Sequence, residues 1–335
     1  MAQEKIIRFT LIERLIHWGH ALPFVGLLLT GIAMHWTSFA YMVFGSMEAA
    51  KIIHKIMALW WLLTPTLLVF TNDRNCLKVN IREIFQWHKR DFIWLGVAIK
   101  RVFKKGTDLP PQGRFNAGQK INSYLTLFFT LIFAITGLLI WVTQGKGWLL
   151  PAFIHNIFFI LACPIFFGHL YLALVNRNTR ESIKGIIWGK VDGQWAQEHH
   201  PLWYRGLTDE AYPGLVFYGK EALGLDEMLR FVREEGLYPG NGKREIKRLF
   251  RESTFIISVY SNGTMIGLGR AVSDGISYGI ITDTYIQPGF ASPDLAEKII
   301  GLLSVQLRAL GVSAICASPH NNHQPIQQPQ TSQNG

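Results

Sequence analysis

Residues 151–176 read PAFIHNIFFILACPIFFGHLYLALVN, an apolar run with a histidine near each end. His155 and His169 are 14 residues apart, close to four helical turns, so a helix here projects both imidazoles from one face. At ~1.5 Å rise per residue the rings stand roughly 21 Å apart along the axis. The hydrocarbon core of a bilayer is ~30 Å thick, so a spanning helix holds one histidine near each membrane surface. A histidine at a helix end is commonly just an interfacial residue, and two can share a face by chance. The pair acquires meaning only if the rest of the chain supplies two more histidines at matching depths.

Three further apolar segments of spanning length precede this one, at about residues 15–36, 52–71 and 121–143. Their flanks carry opposite charge densities. Lys5, Arg8 and Arg14 lie before the first span, and Arg74, Lys78, Arg82, Lys89, Arg90, Lys100, Arg101, Lys104, Lys105 and Arg114 fill the link between the second and third. Arg177, Arg180, Lys184 and Lys190 follow the fourth, whereas the two opposite links hold only Lys51 and Lys146. The positive-inside rule then puts both termini of a multi-pass membrane protein in the cytoplasm. The start, MAQEKIIRFTLIERLIHW, lacks a small-residue cleavage site and is not read as a removable signal peptide.

A formal net charge of +10 and a pI of about 9.5 suit either nucleic acid or an anionic membrane face. No arginine-rich helix or aromatic stacking platform accompanies the charge, so no nucleic-acid partner is expected. Cys76, Cys163 and Cys316 form no CxxC, no metal-ligand spacing and no CxxCH attachment signature.

With the orientation set, depth sorts the histidines. His17 lies about one turn inside the cytoplasmic surface. The second span runs the other way and holds His54 near the outer surface, and the fourth carries His155 outside and His169 inside. His17 thus pairs with His169, and His54 with His155. Ionisable residues within spans are costly and mark function by default, and imidazole is an axial ligand of haem iron. Four of them at two levels suit two haems of the non-covalent b type. His20, one turn deeper than His17, is a competitor on the inner side. His35 lies 18 residues from His17 and rivals His54 on the outer side; His54 is preferred because His35 sits beside Trp36 at the exit of its span. His88 falls in NIREIFQWHKRDFIWLGVAIKRVF, read as one amphipathic helix anchoring on the anionic leaflet. His199 and His200 read as a solvated turn or a contact to a partner subunit.

Before the third span, QGRFNAGQKINSY places Asn116, Gly118 and Gln119 where the helix enters from the cytoplasm. Their amides and bare backbone suit hydrogen bonding to quinone carbonyls near the inner haem. Equally, Asn116 is a good N-cap and Gly118 a turn residue, and both readings stay open on chemistry alone.

ERLIHW, KIIHK, GRFNAGQK with TGLLIW downstream, FIHN, GHLYLA, ESIKGIIWGKVDGQWA and EHHPLWYR occur in this order over about residues 5–205. Together they resemble the cytochrome b (gamma) subunit of membrane-bound formate dehydrogenases. The resemblance implies an all-α membrane four-helix bundle over residues 1–207 with two b haems, His17 and His169 on the inner iron and His54 and His155 on the outer. It implies a quinone, menaquinone or ubiquinone, at Asn116, Gly118 and Gln119 beside His169. It further implies an outer-face iron–sulfur beta subunit that supplies electrons, and a molybdenum or tungsten catalytic alpha subunit behind it. The cytochrome b of a hydrogenase or thiosulfate reductase uses the same histidine logic and is the alternative. Two departures stand out: Lys55 follows His54 where an apolar residue or proline is commoner, and the second link is long. The Lys55 charge would raise the potential of the outer haem.

Residues 208–317 read as a small cytoplasmic α+β domain. Helices at 222–235 and 243–252 precede β-rich runs at 255–260, 265–272 and 276–286, joined by Ser261-Asn262-Gly263 and Ser273-Asp274-Gly275 turns. A helix then starts at Ser292 as N-cap with Pro293 at N1 and runs to about Leu310, before a strand at 312–317. GTMIGLGRAVSDGISYGIITDTYIQPGF resembles core strands of the GNAT N-acetyltransferase superfamily. The loop that cradles the cofactor pyrophosphate in that family is here Ala291-Ser292-Pro293-Asp294-Leu295-Ala296. Pro293 removes an N–H donor and Asp294 adds a carboxylate. The family's last helix and strands give way to a polar tail, 318–335. An incomplete GNAT-like module, vestigial, fusion-derived or regulatory, is expected rather than an active acetyltransferase. A membrane-tethered acetyltransferase or acetyl-CoA sensor is the reading from a different class.

Overall fold

The structure, a computed structural model, describes residues 5–71, 75–103, 109–143 and 149–317; the tail 318–335 lies outside them. The chain divides into two compact units, Met1–Gly206 and Leu207–Gly335.

In the first unit β1 (Lys5–Ile7) leads into α1 (Leu11–His35). Then come α2 (Thr37–Phe44), α3 (Met47–Thr71), α4 (Asn75–Phe85), α5 (Lys89–Phe103), α6 (Ala117–Thr143) and α7 (Leu149–Leu170). α7 continues as a π-helical turn, Tyr171–Val175, and is followed by α8 (Ser182–Trp188), β2 (Lys190–Asp192), α9 (Gly193–His199) and α10 (Pro201–Arg205). Four helices are long and apolar enough to cross a membrane: α1, Met47–Phe70 of α3, α6, and Leu149–Val175. Large apolar side chains such as Ile52, Leu67, Leu131, Ile135, Phe153 and Ile160 stand exposed along them. Water would penalise that surface, whereas a bilayer solvates it and leaves helices to satisfy their own backbone.

The spans begin about one turn earlier than hydropathy alone places them, because polar caps belong to the helices. Thr10 caps α1: its Oγ1 accepts from Glu13 N–H, and the Glu13 carboxylate accepts from Thr10 N–H at 2.6 Å, a capping box. α1 and α3 close together through small residues, as bundles in lipid do. A Cβ on Gly19 would stand 2.8 Å from Thr64 Cγ2, and one on Gly26 2.9 Å from Met57 Sδ.

Three features depart from the sequence reading. The link after α3 is two helices, not one, because the Asp91 carboxylate accepts from His88 N–H at 2.9 Å and starts a new helix there. β1 pairs antiparallel with β2 in the register Lys5↔Asp192, Ile6↔Val191, Ile7↔Lys190, so both flanks of the four spans lie on one face. His200 is not in a solvated turn: it is 1% exposed, its Nδ1 donates to the Gly113 carbonyl at 2.8 Å, and its Nε2 faces Arg8.

The second unit is α+β. β3 (Leu215–Gly219) is a strand that the sequence reading passed over. It precedes α11 (Leu225–Glu234), α12 (Lys243–Glu252), β4 (Phe255–Ser261), β5 (Thr264–Ser273), β6 (Tyr278–Ile286), α13 (Pro293–Ala309) and β7 (Ala314–Ala317). The sheet order is β3-β4-β5-β6-β7, antiparallel except for the parallel β6–β7 pair. Asn262 and Gly263 take positive φ, 49° and 76°, in the β4–β5 turn, the conformation an Asn-Gly hairpin favours. α13 packs on the sheet through Ile299, Leu303 and Leu307 against Val259, Ile266 and Ile281. Gly269 makes that approach possible, since a Cβ there would collide with Ile299 Cγ2.

Candidate functional site

The four spans meet at two polar levels. At one level His54, two turns into α3, faces His155, near the start of α7, with ring centroids 6.5 Å apart and planes at 62°. Imidazole nitrogen binds a metal ion at ~2.0–2.1 Å. With roughly 1.1 Å from each nitrogen to its ring centre, two imidazoles sharing one ion would have centroids up to about 6.2–6.4 Å apart. The observed separation leaves room for one ion between the two rings. Among the described residues no three His, Cys, Asp or Glu converge on a common point. A closed zinc-type site needs four protein donors, so two facing imidazoles fit a metal that brings its own equatorial ligands. These residues fit a haem.

Each ring is held by a threonine from another span. Thr30 Oγ1 on α1 lies 2.8 Å from His54 Nδ1, and Thr136 Oγ1 on α6 lies 2.8 Å from His155 Nδ1. Phe133 packs edge-on to His155 at 5.1 Å, and a Cβ on Gly137 would touch the His155 ring at 3.5 Å. All four spans therefore contribute to this level. The sequence reading missed both threonines, although a Thr-Gly pair recurs in spans one and three, at Thr30-Gly31 and Thr136-Gly137.

At the other level His17 of α1 and His169, in the last turn of α7, lie within electrostatic range of each other. His17 Nδ1 is buried without a hydrogen bond, and His17 meets Trp18 edge-on at 5.2 Å. Directly after His169 the helix widens into its π-helical turn, a distortion that often accompanies functional positions. The two competitors are packed otherwise. His20 lies on Trp61 at 4.8 Å and turns Nε2 toward Thr130 Oγ1 at 3.4 Å. His35 stacks on Phe159 at 6.2 Å.

At the entry to α6, Asn116 and Gln119 cap one another. Asn116 Oδ1 accepts from Gln119 N–H at 2.9 Å, and Gln119 Oε1 accepts from Asn116 N–H at 3.0 Å. Both amide oxygens are thus committed, which leaves the two NH2 groups as donors. Gly118 lies under the Trp94 indole, where a Cβ would meet Cη2 at 3.3 Å. Next along, Lys120 forms a buried ion pair with Asp91 at 2.8 Å and donates to the Gln86 carbonyl at 2.9 Å. Lys55 Nζ lies over the Trp141 ring, 5.7 Å from its centroid.

Four helices long and apolar enough to cross a membrane, with His54 facing His155 between two of them, fit a multi-pass membrane cytochrome of the b type. The family model for prokaryotic cytochrome b561 matches residues 8–189, more than half of the chain, and the protein belongs to that family. Relatives among characterised proteins include the cytochrome b556(fdo) subunit of formate dehydrogenase from Escherichia coli K12, 25% identical over 215 residues. That match covers 61% of this chain and 93% of the relative. The b556(Fdn) subunit of the nitrate-inducible enzyme of the same organism is 26% identical over 210 residues, covering 60% and 91%. The formate dehydrogenase cytochrome b556 subunit of Haemophilus influenzae is 26% identical over 217 residues, covering 60% and 83%. Solved structures similar to this chain include a GNAT-family acetyltransferase from Streptococcus pneumoniae, at 15% identity and TM-score 0.27, covering 32% of this chain and 78% of that one. The fold of the second unit rests on its own strand order. The protein is thus an electron-transfer cytochrome b of respiratory type with a C-terminal α+β unit.

Proposed function

We propose that this chain is the membrane subunit of a formate dehydrogenase complex, carrying electrons from an iron–sulfur subunit at the outer face to a quinone at the cytoplasmic face. The observation that carries the reading is the His54–His155 pair, whose 6.5 Å ring separation leaves room for a haem iron that both imidazoles would hold. In this reading His17 and His169 hold a second haem at the inner level. Haem b, when bound between such imidazoles, supplies reversible one-electron storage. The protein's own part is to fix the imidazoles, keep water from them and bring the quinone close to the inner level. The free NH2 groups of Asn116 and Gln119, beside the bare backbone of Gly118, are the proposed donors to quinone carbonyls. Positive-inside flanks support cytoplasmic termini in an inner membrane, so quinone protonation there and oxidation outside would build membrane potential. The relatives support an iron–sulfur and a catalytic partner for the complex.

Pyridine haemochrome of the purified protein should give two haems per chain, and one or none overturns the reading. His54→Ala should remove one of them while His35→Ala leaves both; the reverse outcome would exchange their roles. Formate-dependent quinone reduction by the co-purified complex distinguishes formate dehydrogenase from a hydrogenase or thiosulfate reductase.

For the second unit we propose a non-catalytic role. Ser292 Oγ already accepts from Leu295 N–H at 3.2 Å, Pro293 offers no N–H, and Asp294 opposes phosphate. Acetyl-CoA should therefore give no binding heat with the full-length protein.

A further inference from the structure

A threonine hydroxyl has one hydrogen to give. In Thr30 it is committed within its own helix, since Oγ1 lies 2.7 Å from the Gly26 carbonyl and 3.2 Å from that of Leu27. In Thr136 it is committed likewise, 2.6 Å from the Ile132 carbonyl. A carbonyl cannot donate, so each Oγ1 meets its histidine as an acceptor. Nδ1 of His54 and Nδ1 of His155 are then the protonated nitrogens, and each ring keeps its lone pair on Nε2. Thr30 is fully buried and Thr136 is 5% exposed, so water does not compete for these contacts. At the inner level His17 lacks the device, since among the described residues its Nδ1 is buried with no hydrogen bond.

We propose that Thr30 and Thr136 are positioning residues for the outer histidine pair. They lock both imidazoles in the Nδ1–H tautomer, so that two Nε2 lone pairs address one metal ion. By accepting the Nδ1 hydrogens they also make the rings better electron donors, which favours the oxidised metal and lowers its potential. The glycine after each threonine serves the same layer: Gly31 admits the Phe159 ring to 3.1 Å of a Cβ position, and Gly137 admits His155. The proposal rests on the haem reading above and adds what sets the outer site apart from the inner one.

The test uses purified, haem-loaded full-length protein, followed by optical redox titration and by haem transfer to apomyoglobin. Thr30→Val and Thr136→Val should each move one midpoint potential upward and leave the other in place. Transfer of that haem should quicken, by roughly ten-fold or more. Thr30→Ser and Thr136→Ser, which keep the hydroxyl, should restore both readouts. Two haems with unchanged midpoints and transfer rates in the valine variants would overturn the proposal, as would serine variants that behave like valine. Where a valine variant fails to accumulate, Thr136→Cys, a weaker acceptor of similar size, must give a smaller shift in the same direction; no shift overturns the proposal. Fewer than two haems in the unmodified protein would instead overturn the haem reading itself, before any variant is measured.

Discussion

Arg8 Nη2 lies 3.0 Å from Nε2 of His200, a residue 192 positions further along the chain. Because His200 Nδ1 donates to the Gly113 carbonyl, Nε2 is the acceptor, and His200 is neutral. Arg8 is itself 1% exposed and stacks between Trp195 and Trp203, at 5.2 Å from each ring. Burial and the Arg114 charge pull its guanidinium down to about 9. The HHPLWYR segment thus closes over the start of the first span.

That contact makes stability depend on pH. Burial first, and then the Arg8 charge, hold His200 well below its ordinary 6.5. In the unfolded chain His200 gains a proton as pH falls through 6.5, while the folded protein resists it. The unfolded state then binds more protons, so stability falls with falling pH below 6.5, by at most about 1.4 kcal/mol per pH unit. Thermal melts in detergent between pH 7.5 and 5 should show this decline, and His200→Gln should flatten it.

Glu13 collects Thr10 N–H, Thr10 Oγ1–H and Arg114 Nη2–H at 2.6, 2.8 and 2.7 Å, and also the Asn80 amide. Its charge also acts on the buried Arg8 guanidinium. Glu13→Ala should cost about 3–5 kcal/mol, because two buried cations lose their counter-charge. A lowered melting temperature checks this; Glu13→Gln, which keeps the acceptor, should recover only part.

Lys120 and Asp91 are 5% and 2% exposed in their side chains. Lys120→Met should destabilise by about 3–5 kcal/mol, and Lys120→Met with Asp91→Leu by much less, since no lone charge is left behind. A double-mutant cycle of melting temperatures reads the difference. If the two single losses simply add, the pair is not coupled.

In the second unit Gly269→Ala should push α13 off the sheet, at a cost of about 1–3 kcal/mol from overpacking. Limited proteolysis of the full-length chain should then cut within Leu207–Gly335 faster, while Met1–Gly206 keeps its pattern.

The four spans were legible because lipid imposes one long apolar run per helix. That His54 and His155 face one another was legible because helical rise and the alternating run of the spans set their relative depths. What escaped depends on side chains meeting across helices. Thr30 and Thr136 read as ordinary helical threonines bonded to their own backbone, and only helix packing shows which imidazole completes each contact. β1 and β2 have three residues each, too few to show a period. The break before α5 did leave a trace, since His88-Lys89-Arg90-Asp91 carries an acidic residue three positions after a cap.

The β1–β2 pairing also sets an order of assembly. Its strands are separated by about 185 residues, which a ribosome adds at roughly 5–20 per second, so on the order of ten to forty seconds pass between the two. Throughout that interval the first span is already threaded, yet Arg8 has neither His200 nor its tryptophans. The base of the first helix is therefore the last part of the bundle to be finished, and a nascent chain halted before residue 190 leaves that arginine among lipid headgroups and water.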